Sequence, residues 1–253
     1  MTTKDSISED YLESTKCKFL TDAMRYDRQA LIIGSDNGRN IGARIANRLR
    51  KDGFATIEKN KSDLDIVNGI DPLTINHSDV LILANGYTHL DWIEDYPDQE
   101  IDRVIGDSLV GSIRAAKSFV NETINDPWKK YIIFIGSMAY ISVLNGSSVY
   151  CAAKAGLAHF SKCIAWELAP KNYNVLCIHP SNTDGTPMTE ETIKGLMRYR
   201  GIEREDAEKY WGASLPRKKW LQADDIGEVV SSFAGGKLDY LSGGQINLSG
   251  GQR

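Results

Sequence analysis

The chain has 253 residues, 42% hydrophobic and 25% charged, with a net charge of −4. That length suits one α/β domain around a single large core, and the balance of charge excludes the basic footprint of a nucleic-acid binder. No apolar run reaches the length of a membrane span, and the polar start MTTKDSISEDYLESTK lacks the apolar centre of a signal peptide, so a cytoplasmic location is expected.

Residues 1–29 are polar and weakly periodic. They read as an N-terminal extension, with a short helix near Tyr11–Met24, ahead of a single domain over 30–253. ALIIG (30–34) is a short apolar run stopped by glycine, the pattern of a buried strand. Ile41, Ile45 and Leu49 recur every four residues through Lys51 and predict a helix. FATIE (54–58) and DVLILANG (79–86) read as further strands. Ile101, Val104, Ile105, Leu109, Ile113 and Phe119 predict one long helix over 101–124. YIIFIGS (131–137) is the most apolar strand, and 146–170 a long helix closed by Pro170. NVLCIHP (174–180) and QINLSGG (245–251) complete the strands, and 184–216 reads as a helical lid. Short apolar strands alternating with helices predict a doubly wound parallel sheet of the Rossmann type, whose ligands bind beyond the carboxyl ends of the strands.

The four cysteines (Cys17, Cys151, Cys163, Cys177) form no C-x-x-C pair. The four histidines (His77, His89, His159, His179) show no H-E-x-x-H spacing, so no metal is expected, and His179 reads as a packed strand-end residue.

Two segments carry chemistry. GSDNGRNIG (34–42) joins the first strand to the first helix, with Gly34, Gly38 and Gly42 letting backbone approach a pyrophosphate at a helix N-terminus. Ser137 ends a strand, and Tyr150 and Lys154, four apart, share one face of the following helix. A free tyrosine titrates near ~10, and a neighbouring ammonium lowers that value and makes the phenol a usable general acid/base.

This set resembles the short-chain dehydrogenase/reductase family, with its Y-x-x-x-K motif and upstream serine. The resemblance extends to ANG (84–86), similar to the family's N-N-A-G, to HPSNTDGTPM (179–188), similar to P-G-x-x-x-T-P-M with one extra residue, and to YLSGGQINLSGG (240–251). It implies hydride exchange between NAD(P)(H) and a small carbonyl or alcohol substrate. Tyr150 would be the acid/base, Ser137 would hold the carbonyl oxygen, and Lys154, beside Tyr150, would contact the nicotinamide ribose. It further implies cofactor contacts at Gly34, Ser35, Asp36, Asn40, Ile41, Gly42, Ala84, Asn85, Gly86, Pro180, Ser181 and Thr183, with Asp65 and Ile66 flanking the adenine. SLVG (108–111) aligned with N-x-x-G puts Ser108 where the family often has an asparagine of a proton relay. The loop 34–42 is closer to that of enoyl reductases, but those place their tyrosine where Ser147 stands. An enoyl reductase, or a nucleotide-binding sensor or scaffold with weakened catalysis, are the alternatives.

The second strand ends at Lys59 and Asn60 with Lys61 next, and Glu58 comes too early to meet a ribose 2′-hydroxyl, so NADP is preferred to NAD. Substrate contacts are expected from Tyr87, His89, Trp92, Met138, Tyr140, Tyr210 and Trp211. Arg198, Arg200 and Arg204 would suit an anionic substrate if they faced the site. Val149, Ala153, Leu157, Phe160 and Ile164 on the 147–170 helix predict a sheet-facing stripe, and small Ala152, Ala158 and Ala165 a face for a partner. With the resemblance, this implies a homotetramer, or failing that a homodimer.

Overall fold

The computed structural model describes residues 28–36, 38–63, 66, 67, 75, 78–213 and 215–252. Residues 1–27, including the expected Tyr11–Met24 helix, and Asp65 lie outside the described residues.

The described residues form a six-stranded sheet in the order β2-β1-β3-β4-β5-β6. Its strands are β1 (Gln29–Ile33), β2 (Ala55–Lys59), β3 (Val80–Leu83), β4 (Lys130–Ile135), β5 (Tyr173–Pro180) and β6 (Gln245–Leu248). All neighbours pair in parallel. Alternate residues point to opposite faces, and both faces are apolar because both are covered. On one side Leu31, Leu81, Ile132 and Val175 meet Phe119 and Leu157; on the other Ile32, Ile82, Ile133 and Leu176 meet Ile45, Leu49, Val230 and Phe233.

Helix α1 (Ile41–Lys51) starts where Asn40, in extended conformation, accepts a hydrogen bond from the Ala43 N–H at 2.9 Å. It ends with Arg48, Arg50 and Lys51, cations set against the negative end of its dipole. The helix expected over 101–124 is α2 (Asp98–Ile105) and α3 (Gly111–Thr123), joined through a π-helical turn at Gly106–Val110. Pro97 cannot extend the helix backwards, and α2 begins just after it. Helix α4 (Ser148–Leu168) is shorter than 146–170, because Pro170 joins a 3-10 turn that left-handed Asn172 closes.

The lid segment is α5 (Pro187–Arg200) and α6 (Arg204–Ala213), hinged at Gly201 (φ 64°). Thr186 caps α5 through the Thr189 N–H, with Pro187 in the first turn. The sequence reading passed over α7 (Ala223–Ala234), although Asp224 and Asp225 at its start and Ile226, Val230 and Phe233 at helical spacing signal it. It packs on α1, where a side chain at Gly227 would meet Arg48.

The small-residue face expected on α4 needs correcting. Ala158 and Ala165 are buried within the subunit, Phe160 is half-buried, and the outward stripe is Ala152, Ala155, His159, Cys163 and Trp166.

Candidate active site

Strand order reverses between β1 and β3, and a cleft opens there beyond their carboxyl ends. The glycine loop forms one wall. A Cβ on Gly34 (φ 87°) would lie 2.5 Å from the Asn85 nitrogen, and one on Gly42 would lie 2.5 Å from the Gly34 oxygen. These glycines therefore let β1, the β3 exit and the first turn of α1 close on one another. The Asn40 side chain ties the turn by donating to the Gly34 carbonyl at 2.9 Å. The cleft, about 390 Å³, is lined by Gly34, Asp36, Asn40, Asn60, Lys61 and Asn85 among others. Its bare glycine wall and the N–H groups of an eleven-residue helix fit the pyrophosphate of a dinucleotide.

A second cleft, about 400 Å³, shares Ile41, Thr186 and Met188 with the first and holds Ser137 and Tyr150. Ser137 leaves β4 and accepts a hydrogen bond from the Ala139 N–H at 3.2 Å. Tyr150 and Lys154 lie one turn apart on α4, both buried, and the Lys154 Nζ sits 5.7 Å from the Tyr150 ring centre. Lys154 donates to the Ile135 carbonyl at 3.1 Å, and the Tyr150 hydroxyl points to the Met188 sulfur at 3.6 Å. Burial pushes the Tyr150 phenol up to about 12, with the Ser137 hydroxyl working the other way. Burial pulls Lys154 down to about 8. The expected lowering of the phenol by the lysine is therefore corrected for this structure: loss of water favours the neutral form of both groups.

Ser108 lies buried in the π-helical turn. Its hydroxyl accepts from the Tyr87 N–H at 3.1 Å and donates to the Tyr87 carbonyl at 3.0 Å. The hydroxyl's one proton is thus spent on bracing the β3 exit. Asn85 braces the same region by donating to the Asp107 carbonyl at 2.6 Å and the Ser112 hydroxyl at 3.0 Å.

Behind Ser137 stands His179, fully buried. Its Nε2 lies 2.7 Å from Gln245 Oε1 and its Nδ1 3.3 Å from the Ser137 N–H. This pattern puts the proton on Nε2, which donates to Gln245, and lets Nδ1 accept from Ser137. Gln245 in turn donates to the Ser161 hydroxyl at 3.0 Å. Burial lowers the His179 pKa and keeps the ring neutral. A Cβ at Gly136 would come within 2.4 Å of Nδ1, so the glycine makes room for the ring.

The expected cofactor residues Gly34, Asp36, Asn40, Ile41, Asn60, Ile66, Ala84, Asn85 and Gly86 line the first cleft. Pro180, Ser181 and Thr183 line the second. Ser35, Gly42 and Lys59 support the wall without lining it. Ser35 donates to Glu58 at 2.5 Å, and the Lys59 carbonyl accepts from the Gly34 and Ser35 N–H groups at 2.8 and 3.1 Å. Glu58 is also held by Arg50 at 2.5 Å.

Of the substrate candidates, Met138, Tyr210 and Trp211 line the second cleft. Tyr140 does not: it stacks on His179 at 3.7 Å and donates to Asn247. Trp92 does not either: it packs edge-on to Tyr199. The lid arginines also turn away. Arg198 donates to the Leu90 carbonyl, Arg200 to the Tyr199 and Tyr210 hydroxyls, and Arg204 to Glu190 and Glu208. Sequence reasoning missed Leu90, Ser142, Leu144, Met188 and Thr192. Only their places just past strand ends, or at the start of the lid, marked them.

Among the described residues no helix is long and apolar enough to cross a membrane, and no group of three or more His, Cys, Asp or Glu is arranged to hold a metal.

A family model described as short chain dehydrogenase matches residues 57–196, more than half of the chain. The chain is similar to the sorbitol-6-phosphate 2-dehydrogenase of Escherichia coli (strain K12), 26% identical over 224 residues, which cover 87% of this chain and 86% of that protein. It is also similar to the D-beta-hydroxybutyrate dehydrogenase of Rhizobium meliloti (strain 1021), 25% identical over 256 residues, with 88% and 98% covered. The fold matches an NAD+-bound xylitol dehydrogenase structure with a TM-score of 0.79 at 18% identity, over 90% of this chain and all of that one. The chain belongs to the short-chain dehydrogenase/reductase family of NAD(P)-dependent oxidoreductases.

Proposed function

We propose that the chain interconverts a carbonyl and an alcohol with Tyr150 as its general acid/base. The observation that carries this reading is that Ser137 and Tyr150 line the cleft that adjoins the glycine-walled one, with the buried Lys154 Nζ 5.7 Å from the Tyr150 ring centre and just behind Gly86 of the first cleft. Gly34, Asn40, Ile41, Asn85 and Lys154 would hold the dinucleotide. When bound, its nicotinamide gives a hydride to the carbonyl carbon or takes one from the alcohol. Tyr150 gives its phenolic proton to the oxygen as negative charge builds there, and recovers it in the reverse direction. Ser137 donates a hydrogen bond to that oxygen. An enoyl reductase would need a phenol at position 147, where a buried serine stands.

We favour NADP over NAD. Lys61 lines the adenosine end of the cleft, held by Asp107 at 2.7 Å, and Glu58 is engaged elsewhere. The test follows reduced-nicotinamide absorbance with a panel of ketones and either cofactor. Turnover is expected with NADPH ahead of NADH, and Lys61→Glu should raise the dissociation constant for NADP by about tenfold more than that for NAD. Equal effects on the two cofactors count against the preference, and no turnover with any ketone counts against the activity.

We further propose a homotetramer, with a homodimer as the simpler form, in the cytoplasm. The outward stripe of α4 supports association, with Trp166 85% exposed beside Cys163 and His159. Sedimentation equilibrium at micromolar concentration should give a multiple of the 28.1 kDa chain mass. A single species at that mass rules the proposal out.

A further inference from the structure

Relatives of this chain act, by their names, on a phosphorylated sugar alcohol and on a hydroxy acid. The cleft around Tyr150 is built for neither chemistry. Among the described residues that line it, none is acidic, basic or histidine. Its body is apolar, from Leu90, Met138, Leu144, Met188 and Trp211. Its polar atoms belong to hydroxyl and amide side chains, and several of these are already satisfied: Thr192 donates to the Met188 carbonyl at 2.8 Å, Thr189 to the Thr183 carbonyl at 2.6 Å, and Asn182 to the Trp211 carbonyl at 2.6 Å.

The three arginines that could have supplied a counter-charge are held in the frame of the lid. Arg198 is tied to the backbone of the β3-exit loop, Arg200 to two tyrosine hydroxyls, and Arg204 to two carboxylates. Releasing any of them toward the cleft breaks contacts that hold α5 to α6 or to the β3-exit loop. Ser142 lines the cleft, and its hydroxyl oxygen is buried and has no hydrogen-bond partner. A buried hydroxyl without a partner is costly unless a ligand supplies one.

We infer that the substrate is an uncharged, largely apolar carbonyl or alcohol, with a neutral polar substituent that hydrogen-bonds Ser142. The inference rests on the carbonyl–alcohol reading of the site. A carboxylate or phosphate entering this cleft leaves water and finds no described cation, a penalty that runs to several kcal/mol for an ion in a low-dielectric site.

The experiment uses matched pairs: β-keto methyl esters against the same compounds as free carboxylates. Each pair is measured as kcat/KM with NADPH and, separately, as binding to the enzyme–NADP+ complex by calorimetry. The ester of each pair is expected to exceed the acid by about 100-fold or more in both readouts. Parity, or preference for the acid, overturns the inference while leaving the activity in place. If no pair turns over, the carbonyl–alcohol reading fails, and the binding ratio still decides the charge of the ligand. Ser142→Ala should lower kcat/KM about tenfold for a hydroxylated neutral ketone and leave its deoxy analogue unchanged. Equal losses for both overturn the role given to Ser142.

Discussion

The Tyr150→Phe protein is expected to turn over about 10²–10⁴-fold more slowly than the parent, with its affinity for the cofactor nearly unchanged. The substitution removes one oxygen and keeps the ring, which packs among Val149, Ala153 and Val104. The hydroxyl makes a long contact to the Met188 sulfur and faces the Ser137 hydroxyl, so its loss takes a partner from no backbone group. A pH profile sharpens the test. Burial holds the phenol at about 12, so it is protonated through the neutral range and ready to act as an acid in reduction. Oxidation needs the phenolate, so its rate should climb as pH rises toward that value, and the climb should vanish in Tyr150→Phe. Near-parental turnover in the variant removes Tyr150 from the mechanism.

Lys154→Met is expected to damage two quantities together: turnover, by at least about 10²-fold, and cofactor binding. Methionine matches the length of the stem but carries neither charge nor donor. The Ile135 carbonyl, which accepts the ammonium at 3.1 Å, then loses its partner inside the protein, at a cost of about 1–3 kcal/mol in stability. The direction of the lysine shift adds a signature. Burial lowers Lys154 to about 8, so its positive charge is present below that pH and fades above it. The part of cofactor binding that depends on this charge should fade over the same interval in the parent and be missing in the variant. An unchanged cofactor dissociation constant in Lys154→Met overturns the ribose contact.

The sheet was legible in the sequence because its strands are buried on both faces. The centres of YIIFIGS and NVLCIHP, IIFI and VLCI, carry no polar residue to blur them, and glycine or proline marks where the runs stop. The Ser137, Tyr150 and Lys154 set was legible because it sits at a strand end and on one helix face, where spacing alone fixes direction. The rest of the cleft was not. Tyr140 and Trp92 looked like substrate contacts because large aromatics follow strands, but each found another ring, in His179 and Tyr199. Charge on the lid was equally ambiguous. Arginines two to six apart on helices can serve solvent, one another or a ligand, and only the positions of Leu90, Tyr199 and Glu190 decide among these. His179 read as a packed residue, which it is, but its hydrogen bond to the Ser137 backbone needed β6 to bring Gln245 alongside, and no local pattern foretells that.

The π-helical turn at Gly106–Val110 acts as a phase shift. Upstream of it, Val104 belongs to the cluster around Tyr150; downstream, Ala115, Ala116 and Phe119 belong to the core beneath the sheet. An unbroken α-helix would couple the two faces at a fixed angle, whereas the wider turn inserts a residue and decouples them by about 100°. Removing one residue between Gly106 and Val110 would restore the straight ladder and turn everything before it by that angle. Val104 would leave its cluster, and Ser108 would leave the Tyr87 backbone. A change of length in this segment would therefore move both faces at once, whereas a change of side chain would disturb only the contacts of its own position, such as those of Ser108 with Tyr87.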